Sequence, residues 1–298
     1  MLEKTGKIIT LPVSGPLHVT DMTAEKYRKE NNKLMQKYEK RVRKWLADNG
    51  KEELSTTIPY FRDGVVCPEK WFAKGNNFRP MIILKEVSLG INQVDELNDF
   101  LELWGRPRYF EFVENPFDDI RNGRFKQWRR IARLVKGLEE IYNGAEYYDC
   151  DKYDVSFISG GEKYQGNIKG YKTISNERTA NPIYNDIVDK MAVVEIKKLG
   201  AGQTVNSELS LATKHYTEHI EPFHDLLCYQ IELINPTVII CLGREYGSCI
   251  SDLLKNIKNN TCERLWIDGY HHTRSSNAHF FEEPISVYKD YLNQNKSK

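Results

Sequence analysis

Short, largely apolar runs recur along this chain, and polar residues, proline or glycine bound each of them. The four runs cover residues 81–84, 192–194, 237–243 and 264–267. A short apolar run without alternation is typical of a strand buried on both faces, as in a parallel sheet covered by helices. We therefore predict four buried strands at these positions.

Apolar positions between the runs recur at helical spacing. The first such stretch predicts a helix that takes Thr20 or Asp21 as its N-cap and ends near Asn49, where Gly50 follows. Residues 1–20 are predicted to be irregular. Further helices are predicted over residues 92–104, 124–142, 245–257 and 284–293, with one or two more within 206–234.

Strands that alternate with helices indicate an α/β fold whose sheet is covered on both faces. We predict a three-layer α/β/α architecture with a central, mostly parallel four-stranded sheet. The whole chain, residues 1–298, is interpreted as one domain with a helical N-terminal extension over residues 1–55. Residues 145–182 are polar and rich in Gly, Asn and Tyr, and we interpret them as an insertion or flap.

Composition narrows the class of protein only slightly. The net charge of +1 neither supports nor excludes a nucleic-acid partner, because local patches decide that. No apolar run approaches the ~20 residues that cross a membrane, so we expect a cytoplasmic protein without a membrane partner. None of the six cysteines forms a C-x-x-C pair, so we expect no metal and no cofactor. Cys241 lies in an apolar run and is expected in the core.

Ionisable residues follow three of the predicted strands. Glu86 comes after the first strand, Glu195 after the second, and His271 with His272 after the fourth. Parallel sheets bind ligands beyond the carboxyl ends of their strands. Taken singly, such residues are most often solvated or structural, but their shared place predicts a site at this edge of the sheet.

The order of these segments resembles the uracil-DNA glycosylase superfamily. Its acidic first motif, base-reading strand end, Gln-Ile-x-x-Ile-x-Pro-x-x-Ile-x-x-Leu-Gly segment and His-Pro-Ser loop have counterparts here in the same order. The counterparts are ILKEVSLG at 83–90, AVVEIKK at 192–198, QIELINPTVIICLG at 230–243 and YHHTRSS at 270–276. The resemblance spans roughly residues 60–292 as ordered anchors.

The resemblance implies specific roles for residues at the predicted site. Glu86 takes the position of the acid that stabilises the sugar cation and orients a water. His271 takes that of the residue that donates a hydrogen bond to the departing base. His272 replaces the family's proline, so either histidine is a candidate for that role. The flipped-out base would stack on an aromatic ring, for which Tyr109, Phe110 and Phe112 are candidates.

Glu195 replaces the asparagine with which the family reads uracil. Asparagine offers a donor and an acceptor, whereas an ionised glutamate only accepts. Such a carboxylate repels the O4 atom of uracil and accepts from the N4 amine of cytosine. We therefore expect the substrate base to be a modified cytosine, such as one with a bulky group at its fifth position, instead of uracil.

Cationic and hydroxyl side chains near these segments are candidates for contacts with DNA phosphates, which position DNA without reading its sequence. They are Lys198, Thr273, Arg274, Ser275, Arg124 and Arg129. We thus predict a monomeric DNA N-glycosylase acting in repair or in defence against foreign DNA. The alternative is a catalytically inactive nucleic-acid-binding protein with the same fold. No G-x-G-x-x-G, P-loop or G-x-S-x-G motif supports a generic nucleotide-binding protein or hydrolase.

Overall fold

The computed structural model describes residues 6–12, 22–52, 60, 63–84, 87–88, 126–148, 186–196, 198, 200–201, 221–242, 261–270 and 276–296. Within these residues the strands are β1 (Gly6–Pro12), β2 (Gly64–Val65), β3 (Pro80–Leu84), β4 (Val87–Ser88), β5 (Ala192–Glu195), β6 (Gly200–Ala201), β7 (Val238–Leu242) and β8 (Thr261–Gly269). The α-helices are α1 (Ala24–Asp48), α2 (Pro68–Trp71), α3 (Lys126–Tyr142), α4 (His224–Ile234) and α5 (Glu283–Lys296).

The main sheet has the strand order β1-β8-β7-β3-β5-β2. Its four inner strands are mutually parallel, and β1 and β2 add antiparallel pairs at the two edges. The four predicted strands are these four inner strands. The prediction of an α/β fold with a mostly parallel sheet is therefore confirmed. β4 and β6 form a separate parallel pair.

The sheet has six strands where four were predicted, and the difference lies at its edges. Residues 1–20 were expected to be irregular, but Gly6–Pro12 pairs with β8 along its whole length. Proline is tolerated there because one side of an edge strand needs no hydrogen-bond donors. β2 has only two residues, too few to show a period in the sequence.

Side chains of the inner strands alternate between two hydrophobic clusters, one on each face of the sheet. Met81 and Ile83 belong to the cluster that includes residues of α1 and α4. Ile82 and Leu84 belong to the cluster that includes residues of α3 and α5. Because both faces are covered by apolar side chains, these strands are apolar throughout. The buried stripe of α1 consists of Tyr27, Leu34, Met35, Tyr38, Val42 and Leu46.

The ends of the helices follow from local capping. α1 takes Thr23 as its N-cap instead of Thr20 or Asp21, and the Thr23 side chain accepts a hydrogen bond from the backbone N of Lys26 at 3.2 Å. Gly50 follows the helix with a φ of +72°, as expected for a residue beyond a helix end. α4 ends where Asn235 adopts a left-handed conformation before Pro236. A π-helical segment, Ala278–Glu282, precedes α5.

Several predictions on the fold lie outside the described residues. They are the helices over 92–104 and 245–257 and the insertion from residue 149 onward. The first residues of that predicted insertion are described, and Tyr148 is buried in the same cluster as α3. Its hydroxyl donates to the backbone oxygen of Arg133 at 2.9 Å. Tyr148 therefore belongs to the packed body of the protein, whereas Tyr147 is exposed.

Two of the described cysteines are buried. Cys241 is a buried free cysteine in β7, as predicted, and Cys228 of α4 is another. Burial raises the pKa of the Cys228 thiol, and the nearby carboxylates of Glu232 and Asp225 add to this effect. In the described part of the chain, no helix has the length and apolar character to cross a membrane.

Gly64 is the glycine at which a side chain is expected to be most costly among those described. Its φ is +138°, and a Cβ atom there would collide with the hydroxyl of Tyr27. We expect Gly64→Ala to lower the free energy of unfolding by about 2–4 kcal/mol, through backbone strain and overpacking. Gly50→Ala is the matched control, because Gly50 also has a positive φ but open space around it. Urea denaturation of both variants should show the larger loss at Gly64, and equal losses would contradict the packing argument.

Candidate functional site

The carboxyl ends of the parallel strands meet at one edge of the main sheet. In the register of the strands, Leu84 is paired with Glu195 and Leu242 with Gly269. The chain passes from β3 to β5 on one side and later reaches β7 on the other side. This reversal is the topological switch point, where open α/β sheets place their ligand crevice. The described strands thus converge where the sequence predicts a site.

The two predicted catalytic residues follow strands that end at this edge. Glu86 is two residues beyond the end of β3, and His271 is two residues beyond the end of β8. Both lie outside the described residues, as do eight of the other residues predicted to contact the base or the DNA phosphates. These eight are Tyr109, Phe110, Phe112, Arg124, His272, Thr273, Arg274 and Ser275.

The residues on either side of the short segment that contains His271 each contact the π-helical segment before α5. Tyr270 follows β8 directly, and its ring lies 4.7 Å from that of His279, measured between centroids. The backbone oxygen of Ser276 accepts a hydrogen bond from the backbone N of Phe280 at 3.0 Å. Tyr270 and Ser276 are thus both in contact with residues of the segment Ala278–Glu282.

Glu195 is a predicted site residue whose position and burial the structure describes. It is the last residue of β5 and is only 7% exposed. Strand alternation puts its side chain on the same face as Val193, which belongs to the cluster of α3 and α5. A carboxylate at the end of a buried parallel strand is thus present at the candidate site.

Asp63, which was not predicted as a functional residue, accepts hydrogen bonds from three different elements. Its Oδ2 accepts from the backbone N of Glu195 at 2.5 Å and from Nζ of Lys198 at 2.7 Å. Its Oδ1 accepts from Nε2 of Gln230 at 2.7 Å. Its backbone oxygen accepts from Nδ2 of Asn31 at 3.1 Å. We call Asp63, Lys198 and Gln230 the Asp63 cluster.

Lys198 lies inside the protein and not on its surface. It is 1% exposed, and its Nζ donates both to Asp63 and, at 2.6 Å, to the backbone oxygen of Glu195. The same ammonium lies 5.5 Å from the centre of the Tyr38 ring. Burial lowers the pKa of Lys198, while the Asp63 carboxylate acts in the opposite direction. This placement does not suit the phosphate contact that the sequence suggests for Lys198.

Arg129 is the second predicted phosphate ligand that the structure buries, with an exposure of 5%. It lies on α3 beside two further arginines that contact the π-helical segment. Arg130 lies 4.6 Å from the centre of the Phe280 ring, and Arg133 lies 4.9 Å from that of Phe281. Burial, and then the like charge of Arg133, lower the pKa of Arg130. Arg130 and Arg133 thus contact aromatic rings of the fold, and the low exposure of Arg129 does not suit a phosphate contact.

The sequence contains an indication that Gln230 has a specific hydrogen-bond partner. It is a polar residue within the apolar stretch of α4, and it is completely buried. A polar residue at a core position usually has a specific hydrogen-bond partner. Asp63 offered no such signal, because it lies in a polar, irregular stretch beside Arg62 and Gly64.

Comparisons with protein-family models, with curated proteins and with solved structures found no match for this chain. Among the residues that the structure describes, no group of three His, Cys, Asp or Glu side chains is arranged to hold a metal ion. The functional interpretation therefore depends on the chemistry of the residues at the carboxyl edge of the sheet.

Proposed function

We propose that this protein is a DNA glycosylase with a three-layer α/β/α fold, which hydrolyses the N-glycosidic bond of a flipped-out base and leaves an abasic site. The main support is the parallel arrangement of β3, β5 and β8. The residues that follow or end these strands are Glu86, Glu195 and His271. The two carboxylates and the imidazole of these residues supply the groups that base excision requires.

The proposed reaction separates charge along the glycosidic bond. As the bond breaks, positive charge develops on the sugar and negative charge on the departing base. The Glu86 carboxylate stabilises the sugar cation and orients the water that attacks it. His271, or His272 beside it, donates a hydrogen bond to the oxygen of the departing base. The water delivers a hydroxyl group to the sugar, and its proton completes the released base.

Glu195 is proposed to read the edge of the base. An ionised carboxylate accepts hydrogen bonds only, so it pairs with an exocyclic amine and repels a carbonyl oxygen. Its low exposure strengthens this selection, because an unsatisfied polar group costs more free energy in a buried site than in water. The substrate class is therefore a base that carries an amine where uracil carries O4, which is a modified cytosine.

An assay of base release tests this proposal directly. Single- and double-stranded oligonucleotides carrying uracil, cytosine or cytosines modified at the fifth position are incubated with the protein. Abasic sites are detected by alkaline cleavage, and the free base is identified by mass spectrometry. We expect release of a modified cytosine in preference to uracil. Release of uracil alone would contradict the substrate class, and DNA binding without abasic sites would support the inactive binding protein.

Glu195→Gln sharpens the same assay. The amide keeps the size of the side chain but adds a donor, so it matches the uracil edge better than the carboxylate does. We expect the ratio of kcat/KM for modified cytosine over that for uracil to fall by about 5- to 150-fold, since one matched base contact contributes ~1–3 kcal/mol. A ratio unchanged in Glu195→Gln would show that Glu195 does not contact the base.

A further inference from the structure

The Asp63 cluster places charged groups in the interior of the protein beside the candidate site. Asp63 and Lys198 have side-chain exposures of 6% and 0%, and Gln230 is fully buried. Moving a carboxylate and an ammonium out of water is costly, and buried ion pairs are often no more stabilising than apolar residues of the same volume. The place of the cluster in the fold is therefore more informative than its contribution to stability.

The cluster forms hydrogen bonds with both the backbone N–H and the backbone C=O of Glu195. The N–H of Glu195 donates to Asp63, and the C=O of Glu195 accepts from Lys198. β2 is antiparallel to β5 and pairs with it only through Gly64 and Val65. Asp63 immediately precedes β2, on the side toward the carboxyl end of β5. The Asp63 carboxylate thus supplies the acceptor that a longer β2 would have offered through its backbone.

Further hydrogen bonds connect the residue after β5, Ile196, to the end of β3 and to α1. The backbone N of Ile196 donates to the oxygen of Leu84 at 2.9 Å. The hydroxyl of Tyr38 lies 3.4 Å from the oxygen of Ile196 and donates to it. The end of β5, which carries Glu195, is therefore held to the end of β3, and Glu86 follows β3 by two residues in the sequence.

We propose that Asp63, supported by Lys198 and Gln230, is a positioning residue that fixes the backbone of Glu195 so that its carboxylate meets the base in one orientation. This inference rests on the proposed function, because it assigns Glu195 a substrate to orient. Asp63 acts through Glu195 and does not touch the base. Loss of this positioning is expected to lower selectivity between bases, because a carboxylate that changes orientation discriminates less between an amine and a carbonyl oxygen.

The test compares Asp63→Asn with Thr237→Val. The hydroxyl of Thr237 accepts a hydrogen bond from the backbone N of Arg79 at 3.0 Å, which joins the starts of β3 and β7. Thr237→Val therefore removes a side-chain contact to a strand end at the opposite edge of the same sheet. It is a matched control for general weakening of the sheet.

Two measurements are made on each variant. Amide hydrogen exchange at Glu195 and Ile196 reports on the backbone without any assumption about activity. The ratio of kcat/KM for modified cytosine over that for uracil reports on the orientation of the carboxylate. For Asp63→Asn we expect exchange at Glu195 to accelerate by about tenfold or more and the ratio to fall by about fivefold or more. Thr237→Val should change neither quantity at Glu195.

The outcomes separate the inference from the function on which it rests. An unchanged ratio in an active Asp63→Asn variant overturns the positioning role, even if the protein is less stable. A wild-type protein that releases no base overturns the proposed function and, with it, a base-orienting role for Asp63, whatever the exchange data show. If Asp63→Asn does not fold, Gln230→Met removes one hydrogen bond to Asp63 while keeping the ion pair. That variant should show the same changes at smaller size, and their absence overturns the inference.

Discussion

Replacing Lys198 by methionine is expected to lower the free energy of unfolding by about 3–5 kcal/mol, because it leaves the Asp63 carboxylate buried without its countercharge. Lys198 is fully buried, and its Nζ has two acceptors that methionine cannot satisfy. A loss of this size is a large part of the ~5–15 kcal/mol by which proteins of ordinary stability are folded. Urea denaturation followed by circular dichroism measures it.

Two further variants show whether the buried charge is the cause. Lys44→Met removes an ammonium that pairs with Asp48 on the exposed surface of α1, so a much smaller loss is expected. The double variant Asp63→Asn, Lys198→Met removes both charges and should be more stable than Lys198→Met alone. If the double variant loses the sum of both single losses, the ion pair is not the reason for the instability.

Replacing Glu86 by glutamine is expected to slow base release by about 10²–10⁴-fold while leaving DNA binding intact. The amide has the size of the carboxylate but no charge to stabilise the sugar cation, so the loss falls on the chemical step. Single-turnover rates at saturating protein measure that step, and fluorescence anisotropy of a labelled oligonucleotide measures binding.

A matched control is available in Glu69→Gln. Glu69 is an exposed carboxylate of α2 that pairs with Arg28. Its replacement changes the net charge as Glu86→Gln does but should leave the rate of base release unchanged. Release at the wild-type rate by Glu86→Gln would remove Glu86 from the reaction, and His271→Ala and His272→Ala would then decide whether either histidine takes part.

The inner strands could be predicted because burial on both faces requires consecutive apolar residues, which are easily recognised in the sequence. Residues 81–84, 192–194, 237–243 and 264–267 are short apolar runs because helices cover both sides of the sheet. The edge strands β1 and β2 leave no such trace. β1 mixes Lys7 and Thr10 with apolar residues, and β2 has only two residues.

The candidate site was predictable only as far as local sequence determines it. Glu195 could be placed at a strand end because the strand itself was predictable. Lys197 and Lys198 look alike in the sequence, and what distinguishes Lys198 is a partner, Asp63, that is 135 residues away. The third member of the cluster, Gln230, is 167 residues from Asp63. Pairings over such distances depend on the complete fold, so local patterns do not indicate them.

The pairing of β1 with β8 has a consequence for how the chain is made. Each residue of β1 pairs with a residue about 250 positions later. A ribosome adds about 5–20 residues per second, so β1 is synthesised roughly 10–50 seconds before its partner strand exists. During that interval Ile8, Ile9 and Leu11 lack the neighbour that the finished sheet provides. β1 can therefore join the sheet only after β8 has been synthesised, and nascent chains that stop before residue 261 are expected to show no protection of β1.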